Sequence, residues 1–419
     1  MARSAAPDSP PRRVAVVGAG MIGLSTAWFL QEFGVEVTVY ERGQVAAGAS
    51  WGNAGWLTPG LATPLPEPAV LKYGLRAVFS PSSPVYVPPS ADPRLLRFLA
   101  GFVRHSTAGR WQRAMDALVP INRRALAGFD ALAAGGVEAR TVETGAFLAA
   151  YRGVGERRVL IEEIEHIHGA GQKLEYDLLS GDEARALAPA LSGEVGAAVR
   201  LRGQRFLDPG RFVFALADSV RGRGGDIRTG TAVTDVRDRG VDVLAAGSAP
   251  EPYDAVVLAG GAWLGDLGRS FGVRAVVQAG RGYSFSVPVE HLPADPLYFP
   301  AQRVACTPLG ERLRVAGTME FRKPGAPLDR RRIRAIVEAA RPMLRGADLE
   351  ARQDEWVGSR PCTPDGLPLI GATRSPRVFA AGGHGMWGMT LGPATGQLLA
   401  EAIVTGRRPA ELGPFDPLR

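Results

Sequence analysis

Three glycines and a glutamate near the start of the chain have the spacing of a dinucleotide-binding site. Gly18, Gly20 and Gly23 form a G-x-G-x-x-G motif, and Glu41 ends the second of two strand-like stretches around it. Such glycines allow a tight turn, a close approach of the backbone to a pyrophosphate, and close packing of a helix on a strand, while the acid can accept both ribose hydroxyls. The pattern predicts FAD or NAD rather than NADP, although Arg42 weakens the exclusion of a 2′-phosphate.

The elements around this motif form one β-α-β unit. The apolar run 14–17 and the alternating run 35–40 predict strands, and the residues between them predict a helix that ends near Phe33. Met21 and Ile22 open this helix, so its N-terminal N–H groups and dipole face the phosphates. A glycine-rich turn that binds nothing is the alternative, but the agreement of strand, helix, second strand and acid favours a binding site.

A second strand, glycine-rich turn and helix follow near the end of the chain. VFAA predicts the strand, GGHGMWGMTLGPATG the loop, and the residues up to Ile403 the helix. The first turn of this helix, 388–391, can stabilise the negative charge that a reduced flavin carries near N1 and the C2 carbonyl. The connection after Glu41, with Ser50, Asn53 and Gly55, can lay its backbone against an extended ligand or form an ordinary surface loop. Together these features favour FAD over NAD.

Length and composition describe a globular protein with two domains. The chain has 419 residues, 46% hydrophobic and 22% charged. Its net charge of +7 is spread along the chain without interleaved aromatic residues, which argues against nucleic-acid binding. The densest cluster is predicted to be a solvated helix face and consists of Arg330, Arg331, Arg332 and Arg334. Helical spacing over 93–134 predicts packing on the second domain, with contact to a membrane surface as the alternative.

Cysteine usage and the remaining patterns complete the expected organisation. Cys306 and Cys362 are too few for a disulfide framework or a metal site, and they are predicted to be buried thiols of a cytoplasmic protein. Residues 1–11 are predicted to be a disordered leader, and the prolines of 63–93 predict an irregular segment. No apolar stretch is long enough to span a bilayer.

Strand patterns in the second half predict the fold class. Strand-like segments occur at 141–151 and 195–207, and a strand at 255–258 is expected to return into the parallel sheet. Strong alternation over 273–319 predicts an antiparallel sheet. The fold is therefore expected to be α/β, or α+β overall, with a Rossmann-like domain and a second domain on a large antiparallel sheet.

The chain resembles the FAD-dependent amine and amino-acid oxidoreductases related to D-amino-acid oxidase and glycine oxidase, with bacterial D-amino-acid dehydrogenases as the nearest branch. The resemblance rests on VVGAGMIGLSTAWFL, SWGNAG, RGYSFSV, RLRVAGTMEF, GSRPCTPDGLPLIG and GGHGMWGMTLGPATGQLLA, which follow the family's order over nearly the whole chain. It implies an FAD-binding domain of 12–62, 200–268 and 353–419, and a substrate-binding domain of 63–199 and 269–352.

The resemblance also implies the cofactor contacts and the electron acceptor. The implied FAD-binding residues are Gly18, Gly20, Met21, Ile22, Gly23, Glu41, Arg42, Ser50, Asn53, Ala54, Gly55, Val233, Gly260, Trp263, Gly385, Gly388, Met389, Thr390 and Leu391. The sarcosine-oxidase branch holds flavin through a cysteine and places a lysine over it for oxygen. Here Cys362 is out of that register, and the corresponding strand carries Arg312 and Arg314. We therefore expect non-covalent FAD and an acceptor other than oxygen, such as a quinone or an electron-transfer protein.

Two residues are implied to contact the substrate. Arg360, in the G-x-R-P segment, is implied to fork the substrate carboxylate, because a guanidinium offers bidentate and permanently charged recognition. Tyr283 lies where relatives have an aromatic residue, and its hydroxyl either meets the carboxylate or amine or belongs to the core of a strand. His384 is expected to shape the loop under the flavin rather than to act as a base. Trp387 is expected to wall the pocket or to pack.

The implied reaction is the oxidative deamination of D-amino acids. A hydride passes from Cα to flavin N5, and the imine hydrolyses to a 2-oxo acid and ammonia. Trp51 and Trp56 replace smaller side chains, so a substrate other than D-alanine is one expectation. The alternatives are a D-hydroxyproline or other secondary-amine dehydrogenase, a glycine- or sarcosine-type oxidase that forms hydrogen peroxide, and a flavin electron-transfer subunit without its own substrate.

Overall fold

The computed structural model describes residues 9–68, 83–237 and 241–419. The α-helices in these ranges are α1 (Met21–Glu32), α2 (Pro93–His105), α3 (Ala108–Ala134), α4 (Arg158–Gly169), α5 (Gly181–Leu187), α6 (Pro209–Gly222), α7 (Leu264–Gly268), α8 (Arg330–Ala340) and α9 (Gly388–Thr405). The strands of the first half are β1 (Arg13–Val17), β2 (Glu36–Tyr40), β3 (Trp56–Leu57), β4 (Val85–Tyr86), β5 (Val142–Glu143), β6 (Phe147–Tyr151), β7 (Tyr176–Ser180), β8 (Ala197–Leu201) and β9 (Arg205–Phe206). The later strands are β10 (Asp226–Arg228), β11 (Val233–Arg237), β12 (Asp242–Ala245), β13 (Glu251–Pro252), β14 (Ala255–Leu258), β15 (Gln278–Val287), β16 (Leu297–Phe299), β17 (Val304–Leu309), β18 (Arg312–Phe321), β19 (Gln353–Cys362), β20 (Leu369–Ala372) and β21 (Val378–Gly382).

One sheet carries the nucleotide-binding motif. Its strand order is β10-β2-β1-β14-β21-β20, and all neighbours pair in parallel except β20 with β21. Residues 14–17 of the central strand β1 are an uninterrupted apolar run because both faces are covered, one by helices that include α1 and α9 and the other by the small sheet β11-β12-β13 with α7. The predicted β-α-β unit and the return of 255–258 into the parallel sheet are both confirmed.

Helices α1 and α9 pack closely on this sheet because glycines replace side chains between them. A Cβ at Gly392 would lie 2.6 Å from Met21 Cγ, and one at Gly396 would lie 2.6 Å from the backbone carbon of Ser25. Gly392 follows the first turn of α9, and Met21 opens α1. The N-terminal turns of the two helices therefore lie side by side at the carboxyl edge of the parallel strands.

A nine-stranded, mostly antiparallel sheet forms the second layer. Its order is β19-β15-β18-β17-β16-β6-β8-β7, and β4 pairs with β18. The predicted antiparallel sheet over 273–319 is confirmed, with β15 and β18 as its longest pair. On β15, Tyr283, Phe285 and Val287 join the core that includes Ile333 and Ile336 of α8.

The opposite face of β15 points towards the nucleotide-binding domain. It carries two glycines followed by two serines, Gly280, Gly282, Ser284 and Ser286, and the hydroxyl of Ser284 donates to the carbonyl of Gly52 at 2.8 Å. Because side chains on a strand alternate between faces, this face and the α8 face have separate environments. The face towards the nucleotide-binding domain is called the cofactor-side face below.

Pairing and packing differ from the predicted domain boundaries at two places. Strand β19 pairs with β15 along its length, so 353–362 belong to the large sheet rather than to the nucleotide-binding sheet. Helix α3 lies within 63–199 but packs on α9, where a Cβ at Gly128 would lie 2.8 Å from Pro393 Cβ. The helical pattern over 93–134 forms two helices because the chain turns at Ser106, whose hydroxyl bonds the carbonyl of Phe102 at 2.9 Å.

The predicted solvated arginine cluster is only partly correct. Arg330, Arg331 and Arg334 are exposed. Arg332 is fully buried, and its Nη1 donates to the carbonyl of Ser83 at 2.7 Å. The prediction is wrong for Arg332 because it shares the buried face of α8 with Ile336.

Several other sequence predictions can be compared with the described residues. Both cysteines are buried and free, as predicted. Residues 1–8 of the predicted leader and 69–82 of the predicted irregular segment lie outside the described residues. No helix in the described ranges is long and apolar enough to cross a bilayer.

Candidate active site

The glycine motif leaves bare backbone at the N-terminus of α1. Gly18 has φ +118°, and a Cβ on it would lie 2.5 Å from the carbonyl oxygen of Ala259. A Cβ at Gly23 would lie 1.9 Å from the oxygen of Gly18. At Gly20 it would meet the hydroxyl of Ser50 at 3.3 Å. Side chains are excluded at the first and third glycines, so the loop can approach a pyrophosphate closely.

Glu41 and Ser50 are both anchored on this loop. One carboxylate oxygen of Glu41 accepts the Ala19 N–H at 3.0 Å, and the other accepts the Gly43 N–H at 2.8 Å. The hydroxyl of Ser50 accepts the Met21 N–H at 3.2 Å. Glu41 remains half-buried. Since each carboxylate oxygen has two lone pairs, the carboxylate keeps acceptor capacity for ribose hydroxyls.

The residues predicted at the adenosine end are close together. The Arg42 guanidinium carbon lies 3.5 Å from the centroid of the Trp263 ring. Gly260 immediately precedes the 3-10 turn Gly261–Trp263. Val233 packs against the apolar cluster that contains Tyr40. These contacts form one wall beside Glu41.

The connection 50–56 joins the two domains. Asn53 Oδ1 accepts the Gly55 N–H at 2.9 Å, and the carbonyl of Ala54 accepts the hydroxyl of Thr307 at 2.7 Å. The hydroxyl of Thr390, in the first turn of α9, donates to the carbonyl of Trp56 at 3.1 Å. The connection is therefore fixed to both the large sheet and the second helix N-terminus.

The loop before α9 is bound to the end of β19. The Gly385 N–H donates to the carbonyl of Pro361 at 2.8 Å. The backbones of His384 and Cys362 pair in an isolated antiparallel β-bridge. Gly385 has φ +55°, a conformation that favours glycine. The first turn of α9 follows directly and consists of Gly388, Met389, Thr390 and Leu391. Arg360 precedes Cys362 by two residues on β19, and Cys362 pairs with His384 of this loop. The loop into the N-terminus of α9 is therefore bound to the end of the strand that carries Arg360.

Arg360 lies on the cofactor-side face without an acidic partner. A Cβ at Gly282 would lie 2.2 Å from Arg360 Cζ, so the guanidinium lies across this glycine. Nη1 donates to the carbonyl of Thr318 at 3.4 Å. Within the described ranges no carboxylate pairs with it. Arg360 is half-buried, and this desolvation lowers its pKa from the ordinary value, yet a guanidinium stays charged at neutral pH.

Tyr283 is not brought to Arg360. Its side chain is fully buried on the α8 face, and its hydroxyl donates to Glu320. Burial and the adjacent carboxylate raise the pKa of Tyr283. The two predicted substrate contacts therefore lie on opposite faces of the sheet, and the position of Tyr283 matches the core alternative.

His384 and Trp387 occupy supporting positions. His384 is buried, with Nε2 at 2.9 Å from the hydroxyl of Thr395. Desolvation lowers the pKa of His384 to about 3, so the ring stays neutral at physiological pH. Trp387 donates from Nε1 to the carbonyl of Thr63 at 2.7 Å and packs in one apolar cluster with Trp56.

The sequence that forms this site matches a known protein family. Residues 13–402 match the family described as FAD dependent oxidoreductase. The chain belongs to this family.

Individual relatives agree with that assignment. D-amino acid dehydrogenase of Cereibacter sphaeroides is 30% identical over 417 residues, covering 96% of this chain and 94% of the relative. D-amino acid dehydrogenase of Xanthobacter autotrophicus is 29% identical over 414 residues, covering 95% and 96%. The solved structure of glycine oxidase from Geobacillus kaustophilus has a TM-score of 0.75 at 24% identity, covering 97% of this chain and 99% of that one. At this identity the structural likeness shows the fold, and the predicted fold class is confirmed.

The residues present fit the FAD of this family. The glycine loop offers bare backbone, Glu41 offers acceptors for hydroxyls, and the two adjacent helix N-termini offer positive ends for a pyrophosphate and for a flavin. Cys306 and Cys362 are fully buried thiols whose pKa values burial raises. A buried, protonated thiol is a poor nucleophile, which agrees with the predicted non-covalent attachment.

Three residues beside the candidate site were not predicted from the sequence as contacts. Thr318 has φ +54°, and its hydroxyl is buried without a partner among the described residues. Arg314 is buried 5.0 Å from the Trp51 ring centroid and donates to Ser286 at 3.0 Å. Tyr298 lies with its ring centroid 5.2 Å from that of Trp56. Strand alternation could have placed Arg314, whereas the conformation of Thr318 arises from a β-bulge between β15 and β18.

Proposed function

We propose that this FAD-dependent oxidoreductase oxidises D-amino acids to 2-oxo acids and ammonia and passes the electrons to an acceptor other than oxygen. The observation that carries the proposal is Arg360, a cation held across Gly282 and beside the loop into α9 without a carboxylate among the described residues. Arg360 is half-buried, and a cation partly removed from water without a counter-ion is costly unless its partner is a ligand. An amino-acid carboxylate is such a partner.

The protein's own contribution is the orientation of the substrate. Arg360 holds the carboxylate through two parallel hydrogen bonds, and its contact with the Thr318 carbonyl fixes the plane of the guanidinium. FAD supplies the two-electron oxidation when bound. The neutral His384, turned to Thr395, leaves the amine proton to solvent. Positioning can supply a large part of the rate enhancement of such a reaction.

The preference for D-amino acids is supported by relatives rather than by a contact. The relatives from Cereibacter sphaeroides and Xanthobacter autotrophicus are both named D-amino acid dehydrogenase. Relatives of similar fold are named glycine oxidase and iminodiacetate oxidase, so glycine and secondary amines are the competing substrates. A non-oxygen acceptor is supported by the lack of a lysine at the site, where the sarcosine-oxidase branch has one for oxygen. In the described ranges Lys173 and Lys323 are both exposed, and no lysine lies at the site.

Anaerobic titration of the purified flavoprotein tests the substrate. D- and L-isomers of several amino acids, glycine, sarcosine and cis-4-hydroxy-D-proline are added in turn while the visible absorbance of FAD is recorded. Bleaching by D-amino acids alone is expected. Bleaching only by glycine or by secondary amines would replace the proposed substrate, and no bleaching by any of them would favour an electron-transfer subunit.

A second assay tests the acceptor. The rate of hydrogen peroxide formation in air is compared with the rate of reduction of a soluble quinone under argon, at the same substrate concentration. A quinone rate well above the peroxide rate is expected. Stoichiometric peroxide at the full turnover rate would make the protein an oxidase.

A further inference from the structure

A cavity of about 380 Å³ lies between α2, the segment after α7, and the turn from β20 to β21. Five arginines line it, and no acidic residue of the described chain does. They are Arg94, Arg97, Arg269, Arg274 and Arg374. These five residues are called the arginine pocket below. Gly265 and the segment 272–277 form the rest of its wall.

Most of the charge in the arginine pocket has no counter-charge in the described ranges. Arg94 alone forms an ion pair, at 3.3 Å to Asp266, and it also donates to the carbonyl of Val277 at 2.9 Å. The guanidinium groups of Arg97, Arg269, Arg274 and Arg374 make no hydrogen bond or ion pair with described residues. Arg374 is nevertheless held in place, because its side chain lies against Gly272, where a Cβ would be 2.7 Å from Arg374 Cδ.

Concentrated positive charge of this kind attracts a multivalent anion. Like charges around one hollow repel, and a concave shape focuses their field on the space between them. Guanidinium groups match phosphate oxygens in geometry and bind them through paired hydrogen bonds. Arg97, Arg269, Arg274 and Arg374 are exposed, so an anion can reach them from solvent.

The arginine pocket is separate from the FAD site. The turn that carries Arg374 precedes β21, so it lies at the amino edge of a strand that runs parallel to β14. The Arg374 N–H bonds the carbonyl of Phe271, which places the segment after α7 at the same edge. The glycine motif and the loop into α9 lie at the carboxyl edge of the sheet. None of the predicted cofactor contacts lines the pocket, although Gly265, two residues after Trp263, does.

Helix α2 extends the same surface. Leu96 and Val103 are 53% and 54% exposed on it, and Arg97 and Arg104 are exposed beside them. Exposed apolar residues next to cations are typical of helices that lie at a lipid interface. This arrangement would suit a phosphate that belongs to a lipid headgroup, while the cavity alone would suit a free phosphate.

We propose that the arginine pocket binds a phosphate group, carried either by an anionic phospholipid headgroup or by a soluble phosphate compound. Saturable binding to the FAD-loaded protein is expected, with a strong dependence on salt. The site would act at a distance from the substrate, so amino-acid oxidation by the soluble enzyme does not require it.

Two binding arms distinguish the sources of phosphate. Calorimetric titration with inorganic pyrophosphate at low ionic strength measures soluble phosphate binding. Co-sedimentation with phosphatidylglycerol–phosphatidylcholine vesicles, against phosphatidylcholine vesicles alone, measures headgroup binding. Pyrophosphate binding without vesicle binding assigns a soluble ligand, and selective binding to the anionic vesicles assigns a headgroup. Binding in neither arm would overturn the proposal.

A matched pair of variants tests the location. The triple variant Arg269→Ser, Arg274→Ser and Arg374→Ser is compared with Arg211→Ser, Arg345→Ser and Arg407→Ser, which removes the same charge from exposed positions elsewhere. The pocket variant should lose at least tenfold in affinity, and the control should change less than twofold. Equal losses would show a general charge effect and overturn the site. The single reversal Arg274→Glu provides a second variant with less perturbation, and FAD absorbance verifies folding in each case.

Discussion

The two faces of the nine-stranded sheet bury arginine in different ways. On the α8 face, Arg281 is 1% exposed and pairs with the fully buried Glu320 at 2.8 Å. Its Nη2 also donates to the carbonyls of Ala326 and Pro327. On the cofactor-side face, the described partner of Arg360 is one carbonyl at 3.4 Å. One charge is balanced inside the protein and the other is not.

This difference separates a structural role from a binding role. An ion pair removed from water needs good geometry and further hydrogen bonds to offset desolvation, and Arg281 has both. Arg360 has no carboxylate partner in the described ranges and one long hydrogen bond to Thr318, although it belongs to the adjacent strand of the same sheet. A cation that the fold leaves without a counter-charge indicates that the anion arrives with a ligand. Removal of a charge on the α8 face should therefore lower stability, whereas removal of the charge on the cofactor-side face should lower activity and leave stability nearly unchanged.

Removal of the counter-charge on the α8 face should give the largest effect on stability. In Glu320→Gln the fully buried Arg281 loses its anion, and loss of one partner of a buried pair costs about 3–5 kcal/mol. Urea denaturation followed by fluorescence measures the loss. Glu350→Gln, which removes a fully exposed carboxylate paired with Arg341 and Arg352, is the control and should leave the urea midpoint nearly unchanged. Equal stability of the two variants would contradict the structural role.

Removal of the cation on the cofactor-side face should act on catalysis instead. Arg360→Met should lose about 2–5 kcal/mol of substrate binding, which is roughly 30- to 5,000-fold in kcat/KM. The FAD absorbance should be retained. The urea midpoint should be retained or slightly raised, because a partly desolvated charge is removed. Steady-state kinetics with the best D-amino acid measure the effect, and exposed Arg341→Met is the control. An unchanged KM in Arg360→Met would remove the residue from the substrate site.

The contrast between the two faces also explains which residues of the candidate site could be predicted from the sequence. The glycine motif, Glu41 and the helix start at Gly388 were predictable because their chemistry is local: backbone shape and helix dipoles depend on residues close in sequence. Arg360 could be predicted only through the resemblance, because nothing in its own neighbourhood shows which face of β19 it occupies. The same lack of information left Tyr283 open between substrate contact and core.

The errors arise where long-range pairing decides the outcome. Arg332 was expected to be solvated like its neighbours, but α8 turns it towards carbonyls contributed by Ser83 and Met319. The boundary at 353 misplaced β19 because strand pairing with β15 is not encoded in the composition of either strand. The left-handed Thr318 follows from a register shift between two strands. Such features need the sheet itself before they can be seen.

His384 represents a third way to bury an ionisable group, which is to keep it neutral. Its pKa is lowered to about 3 from 6.5 by desolvation, so its contribution to stability is complete above pH 6.5 and is lost as the pH falls towards 3. Between pH 7 and pH 5 this loss should be about 2 kcal/mol. The variant His384→Gln should lack this part of the pH dependence in urea denaturation, whereas exposed His291→Gln should keep it. Identical pH profiles for His384→Gln and the wild type would contradict a neutral buried ring.

The smallest change tests whether the position of Arg360, rather than its mere presence, matters. In Gly282→Ala the new Cβ would lie 2.2 Å from Arg360 Cζ, the far end of a flexible side chain that can move aside. We expect KM for the D-amino acid to rise about tenfold, which corresponds to about 1.4 kcal/mol, with little change in stability.

The neighbouring glycine on the same face supplies the control for that variant. In Gly280→Ala the new Cβ would meet Cys362 Sγ at 2.8 Å and Met319 Sδ at 3.1 Å, so the clash falls in a packed apolar cluster rather than on the arginine. This variant should lose stability and keep its KM. If both variants changed KM equally, a general distortion of β15 would explain the result. If only Gly282→Ala did, the cofactor-side face would bind the carboxylate through a guanidinium whose place is defined by an absent side chain.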